Sequence, residues 1–376
     1  MTCPAPDNGN LFAALKNFSD PELCKGLLKS LEQRLGELGR PLRFMEVCGT
    51  HTVSIFRSGL RSLLPESVVH LSGPGCPVCV THDREVAAYI ELAGKDGVIV
   101  ATFGDLMRVP GPGGANLKEA QARGARVQVV YSPHDALELA RKNPGDKVVF
   151  LGVGFETTAP AVAATIQMAK AQGLNNFYVL SFHKLVPPAL RVLLEDKDSS
   201  IDAFLLPGHV STILGVEPYK FVAEEFKKPG IVSGFDPADI LQSLLLMTDE
   251  LIANKANIIN QYSRMVDDKG SPKARRIMNE VFATGNALWR GIGEIPQSGL
   301  YMRDDYSNFD AWKAFNLSLP HVPALKGCRC GSVLKGQMSP PDCPLFGKAC
   351  TPAKPVGPCM VSTEGSCAAY FKYNMG

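Results

Sequence analysis

The sequence predicts an α/β protein: two small open parallel-sheet βα domains joined to a helical, cysteine-rich segment. Three observations carry this. Eight short β-rich runs start about 25–30 residues apart, the length of one strand plus one returning helix. The runs are apolar on both faces, as parallel strands covered on both sides must be. Beyond residue 237 the strand pattern stops, and six of the eleven cysteines crowd into residues 328–367.

Taken in order, the first element is a helix over 21–38. Asp20 can cap it, Pro21 fits its first turn and Gly39 fits just past its end. Strands follow at 43–47, 68–71, 98–103 and 126–131, then at 147–153, 177–182, 203–206 and 230–234. Helical segments such as 82–95 and 157–172 lie between them. A long helical stretch at 237–266 leads to a second near 273–284, and the remainder is rich in Gly, Pro and Cys. These runs divide the chain into a first α/β domain at 42–140 and a second at 141–236. Residues 1–41 and 237–376 make a third, helical and cysteine-rich domain, whose tail needs a source of order other than an apolar core; a metal centre would supply it.

Two or three domains is what 376 residues suggest. Hydrophobic residues at 45% and charged residues at 20% give an ordinary globular balance. A net charge of +2 with no basic run argues against a dedicated nucleic-acid surface. No apolar stretch is long enough to cross a bilayer, and the start MTCPAPDNGNLF lacks a secretory pattern. The expected location is therefore the cytoplasm, where clustered cysteines favour metal binding or redox work over structural disulfides.

Ligands of open α/β sheets bind beyond the carboxyl ends of the strands. The chemically distinctive residues collect there. Strand 43–47 leads into Cys48-Gly-Thr-His51, and strand 68–71 into a loop ending Cys76-Pro-Val-Cys79. Strand 147–153 leads into Gly154-Phe-Glu156-Thr-Thr158, strand 177–182 ends at His183, and strand 203–206 at Gly208-His209. A lone cysteine is most often a small buried hydrophobe. Cys48, however, sits where a strand hands over to a helix, whose N-terminus lowers a thiol pKa and favours a reactive or metal-binding thiolate. His51 is a second ligand, a proton donor or a side chain of the cap. Cys76 and Cys79 form a C-x-x-C before a helix, which suits a redox disulfide or half of a zinc site. The absence of a second C-x-x-C favours redox over zinc; an inert pair is the bland alternative. Glu156 to Pro160 reads as an ordinary helix start. No P-loop or complete dinucleotide fingerprint occurs.

In the tail, Cys328, Cys330, Cys343, Cys350, Cys359 and Cys367 are all available. Four thiolates hold either a [4Fe–4S] cluster or zinc. Wide spacings with Pro and Gly, and no tight knuckle, favour a chain wrapped around the larger cluster.

These stretches resemble the HypD family of [NiFe]-hydrogenase maturation factors. The matching segments are MEVCGTHT (45–52), LSGPGCPVCVT (71–81), GFETTAP (154–160), LPGHVSTILG (206–215) and FGKACTP…GPCMVSTEGSCAAYFKY (346–373). The resemblance implies a [4Fe–4S] cluster on a C-x12-C-x6-C-x16-C pattern, met by Cys330, Cys343, Cys350 and Cys367. Cys328 and Cys359 are then spare, either being able to replace one of the four. It implies that Cys48 helps hold an iron atom carrying cyanide and carbon monoxide, the Fe(CN)2CO fragment of the hydrogenase site, with His51 able to tune or protonate it. Cys76 and Cys79 would be a thiol pair exchanging electrons with the cluster. A HypC-like chaperone and a HypE-like cyanide donor would be the partners. The description is of a redox-active assembly scaffold more than a conventional turnover enzyme. Two rivals remain. One is an iron–sulfur thiol–disulfide reductase acting on partner proteins, which leaves Cys48 unexplained; the other is a zinc-stabilised binding module.

Overall fold

A computed structural model describes residues 18–323 and 327–374. The start of the chain read above for a targeting signal, residues 1–12, lies outside the described residues.

The first helix, Pro21–Leu38, forms as its caps predict. Asp20 accepts from the Glu22 and Leu23 N–H groups, and Gly39 at φ +69° closes the end by donating to Leu35 O. Strands β1 (Leu42–Glu46), β2 (Val68–Ser72), β3 (Val98–Thr102), β4 (Arg126–Val129), β5 (Lys147–Gly152), β6 (Phe177–Ser181), β7 (Ala203–Pro207) and β8 (Gly230–Ser233) follow the eight expected runs. All of β3, β7 and β8 is buried, which is why these runs show no polar alternation.

With a short ninth strand, β9 (Ile258–Asn260), the strands make two parallel sheets, ordered β2-β1-β7-β8-β9 and β4-β3-β5-β6. The protein is thus α/β with two open parallel sheets, as expected, but the sheets do not divide the chain at residue 140. The strands of 42–72 pair with those of 203–260, and the strands of 98–181 form the other sheet between them. Period and length report that a strand exists; partner choice is long-range and leaves no local trace.

Three differences follow the last expected strand. The helix read over 237–266 is Pro237–Ile252. It stops because Asn254 takes a left-handed conformation (φ +50°) and Lys255 N–H turns back to Glu250 O. The chain then adds a short strand, β9 (Ile258–Asn260), to β8. Second, this helix packs with Pro21–Leu38 on one face of the five-stranded sheet, in a core of Leu31, Phe44, Leu205 and Leu244, so both helices belong to the sheet and not to the cysteine-rich tail. Third, the helix near 273–284 is Pro272–Val281, and it gives way to an antiparallel hairpin, β10 (Phe282–Trp289) and β11 (Gly293–Met302). A bulge at Gly285–Ala287 breaks the alternation that would have announced it.

The inner faces of both sheets meet in one continuous core. It holds Met45, Leu71, Phe204 and Leu206 from the first sheet and Val100, Val149, Leu151 and Leu180 from the second. Cys76, Cys79, Cys330 and Cys359 belong to the same core. Among the described residues no helix is long and apolar enough to cross a membrane.

Candidate functional site

Strand order places the site. From β1 the chain moves outward to β2, and from β7 it moves outward the other way to β8. The crevice at the carboxyl ends of β1 and β7 is therefore a topological switch point, the usual ligand position of such sheets. β3 and β5 make a second one in the other sheet. The motifs MEVCGTHT, LPGHVSTILG and GFETTAP follow β1, β7 and β5 into these two crevices, and LSGPGCPVCVT follows β2 beside the first.

Cys48 lies two residues past β1 and caps the start of the helix Gly49–Arg57, with its carbonyl accepting from the His51 and Thr52 N–H groups. Behind it the buried Glu46 carboxylate accepts from Cys48 N–H (3.1 Å) and from the Thr52 hydroxyl (2.6 Å), and His70 Nε2 lies 3.8 Å from it. Only 8% of Cys48 is exposed. The expected lowering of its thiol pKa does not occur. Burial, with the nearby Glu364 charge adding, pushes the thiol up to about 12, and the backbone N–H groups of His51 and Thr50 oppose this without prevailing. The helix terminus acts as anticipated but is outweighed by loss of water.

His51 is fully buried. Its Nε2 faces the carbonyls of Ser233 (3.2 Å) and Gly234 (3.0 Å), which can only accept, so Nε2 carries the proton. Nδ1 is left with a bare lone pair and no partner among the described residues. Burial holds the imidazole down at about 4, hence neutral. Phe235, after β8, stacks on His51 (4.5 Å) and on His209 after β7 (4.0 Å). Two of the three loop histidines thus share one stack. His183 stands apart, under the hairpin, with Nδ1 on Ser181 Oγ and its ring near Phe282.

The thiol pair adjoins Cys48. Cys76 and Cys79 are joined as a disulfide across the start of a short helix, Pro77–Val80, with Cα atoms 5.2 Å apart and both residues buried. The preceding Gly75 accepts from Gly49 N–H at 3.0 Å. A Cβ on Gly75 would lie 2.2 Å from Cys48 N, so only glycine lets the two loops approach this closely.

The tail closes the site from outside. Its six cysteines line one cavity with Val333, Leu345, Phe346 and Met360. Cys330 and Cys359 sulfurs are 2.7 Å apart, and both residues are buried. Hydrogen bonds from Cys328 and Cys359, with the Arg290 charge adding, hold the Cys330 thiol well below the usual thiol range. The turn Pro358–Met360 packs against Pro77–Val80. Beyond it, Ser362 donates to Asp105 (2.9 Å) after β3, and Glu364 accepts from Thr50 (2.8 Å) after β1. The tail therefore spans both switch points. Its last helix, Ser366–Asn374, sets Tyr370 against Phe56 with the rings tilted and their centroids 4.6 Å apart. Among the described residues no three His, Cys, Asp or Glu side chains converge on a single ion position.

The structure thus gathers the expected cysteines and His51 at the strand ends and tail, together with Glu46, Glu364 and Arg290, which the sequence did not single out, and Glu156, which it gave only a capping role. Glu156 is 1% exposed; Oε1 accepts from Val186 N–H, Oε2 has no partner among the described residues, and burial raises its pKa to about 7. An acidic residue two before a cysteine, or a carboxylate in a tail, carries no local signal of the partner it meets.

Comparison with known proteins gives a consistent picture. The family model described as "HypD: Hydrogenase formation hypA family" matches residues 22–374. The hydrogenase maturation factor HypD of Escherichia coli (strain K12) is 47% identical over 361 residues, covering 95% of this chain and 96% of that one. The HypD of Rhodobacter capsulatus is 46% identical over 365 residues, covering 95% and 97%. A putative hydrogenase expression/formation protein of Methanocaldococcus jannaschii is 40% identical over 357 residues, covering 95% and 99%.

Proposed function

This chain belongs to the HypD family of hydrogenase-formation proteins, and from that premise we propose that it serves hydrogenase maturation as a redox-active scaffold. Cys48 grips an iron atom, the cargo, while cyanide and carbon monoxide are attached to it. Electrons reach that iron through buried thiol pairs from the tail. A HypC-like chaperone would share the iron, and a HypE-like partner would deliver cyanide.

The observation that carries the proposal is the unbroken line of contact from tail to Cys48. Cys359, whose sulfur is 2.7 Å from that of Cys330, lies in the turn that packs against the Pro77–Val80 helix, and Gly75 abuts the Cys48 backbone. Thiol–disulfide exchange along this line balances without another reagent. The Cys330 thiolate and the Cys359 thiol become a disulfide as the Cys76–Cys79 disulfide becomes one thiolate and one thiol, so two electrons and one proton pass.

The donor set of the tail fits a [4Fe–4S] cluster: several thiols around an apolar cavity. The ligands of such a cluster stand on separate corners, whereas Cys330 and Cys359 are at pair distance. That favours Cys328, Cys343, Cys350 and Cys367 as the four ligands over the set the resemblance implies, in which Cys330 takes the place of Cys328. When bound, the cluster supplies low-potential electrons one at a time.

At Cys48 the neutral thiol suits an empty site. Binding iron supplies the positive charge that burial otherwise denies the thiolate, and a proton leaves. Glu46 keeps the Cys48 backbone in place, and the bare Nδ1 of His51 is a hydrogen-bond acceptor within the same loop.

Infrared spectra of the chain purified anaerobically with a HypC-like chaperone test this. Cyanide and carbon monoxide stretches are expected. A chain that reduces partner disulfides but never shows those bands would be a thiol–disulfide reductase instead.

A further inference from the structure

Between the two thiol pairs lies the turn of the hairpin, Arg290-Gly291, which no motif singled out. Arg290 is 5% exposed. Its backbone N–H donates to Val80 O (2.9 Å), its Nε donates to Thr81 O (2.9 Å), and its Nη1 meets the Asp83 carboxylate. Trp289 bridges Thr81 in the same strand-like contact. One side chain and one peptide thus hold the C-terminal end of the Cys76–Cys79 helix, and a guanidinium is suited to this because its fork fixes several directions at once. Nη2 has no partner among the described residues, although buried. A buried arginine left partly unpaired is costly, and the structure retains it here.

The other side of the turn touches the tail. A Cβ on Gly291 would lie 2.1 Å from the Cα of Gly331, and one on Gly331 would lie 2.6 Å from the Cα of Gly291. Gly331 follows Cys330 directly. Backbone therefore meets backbone, with no side chain to absorb a shift.

We infer that Arg290 and Gly291 form a positioning clamp that fixes the Cys76–Cys79 helix against the Cys330–Cys359 pair for thiol–disulfide exchange. The inference rests on the electron path proposed above. Sulfur must approach sulfur in line, and a displacement near 1 Å far from the reacting atoms costs on the order of a hundredfold in rate. Arg290 touches neither sulfur pair as a reactant; it sets where one pair lies relative to the other.

The test uses the full chain with its cluster, held anaerobically with Cys76–Cys79 oxidised. Dithionite is added, samples are quenched in acid, and alkylation with mass spectrometry follows the appearance of Cys76 and Cys79 thiols. Arg290→Lys keeps the charge but loses the fork; Arg290→Gln loses both. Gly331→Ala leaves every hydrogen bond and charge in place and pushes the turn away. All three are expected to slow transfer by roughly ten- to a hundredfold with the cluster absorption unchanged. Wild-type transfer in Arg290→Lys would make Arg290 a counter-charge and overturn the clamp, and so would wild-type transfer in Gly331→Ala. If the Arg290 variants do not fold, Gly331→Ala decides alone. Absence of transfer in the unaltered chain would instead sink the electron path itself, so the two failures are distinct.

Discussion

Thr50, two residues past Cys48, donates a hydrogen bond of 2.8 Å to Glu364 in the cysteine-rich tail, 314 residues later. Next to it, a Cβ on Gly49 would stand 2.5 Å from the Cβ of Glu364 and 2.8 Å from its carbonyl oxygen. The seam between strand-end loop and tail is therefore too tight for one methyl group. Gly49→Ala should cost about 1–3 kcal/mol by overpacking and loosen the tail first. Limited proteolysis should then cut within residues 327–374 while the sheets stay resistant. Equal resistance in variant and parent would show that the tail is held elsewhere.

Glu156 gives a pH signature. Its folded pKa is about 7, raised by burial from an ordinary 4.5, so the folded state keeps the proton longer than the unfolded state does. Stability from this group is fully present below 4.5 and is lost as pH rises through 7. Glu156→Gln keeps the acceptor for Val186 N–H but cannot ionise. The variant should be more stable than the parent above pH 7, by roughly 2–3 kcal/mol, with the gap closing toward pH 4.5. Urea midpoints of both chains across that range measure it, and a gap independent of pH would refute the assignment.

What was legible in the sequence was local. Asp20 and Gly39 announce the first helix because capping is decided within four residues. The eight apolar runs announce strands because burial on both faces leaves no polar position. Sheet membership was not legible, since β1 pairs with β7 across more than half the strands of the fold. Cys48 was found by its place at a strand end, but its protonation was misjudged. The helix terminus is visible in sequence, whereas the burial that outweighs it depends on a tail three hundred residues away. The pairing of Cys330 with Cys359 is likewise invisible to spacing, because the turn Pro358–Met360 is brought back by contacts with another loop.

On the proposed ligand set, that pairing separates the tail thiols by role. Cys328→Ala and Cys343→Ala should lose the brown colour of the cluster and destabilise the tail, since a missing corner ligand removes metal-derived folding energy. Cys330→Ser and Cys359→Ser should keep the colour and lose only electron transfer to Cys76–Cys79. Visible absorption and iron content of anaerobically purified variants distinguish these outcomes. A colourless Cys330→Ser together with a brown Cys328→Ala would restore the ligand set that the resemblance implies.

Cys48 should be silent when empty and indispensable when loaded. With its pKa pushed up to about 12, only about one thiol in ten thousand is ionised at pH 8. Iodoacetamide should therefore modify Cys48 far more slowly than a free cysteine, and the rate should climb roughly tenfold per pH unit. Iron changes the balance because coordination replaces the proton with a cation in the same dry place. Cys48→Ala should then abolish the cyanide and carbon monoxide bands of the chaperone complex while the tail keeps its colour, because none of the six tail cysteines depends on this side chain. Bands that survive the substitution would remove Cys48 from the iron. Rapid alkylation at pH 8 in the empty chain would instead show that the loop opens to water, and that the seam through Gly49, Gly75 and Glu364 is not closed in solution.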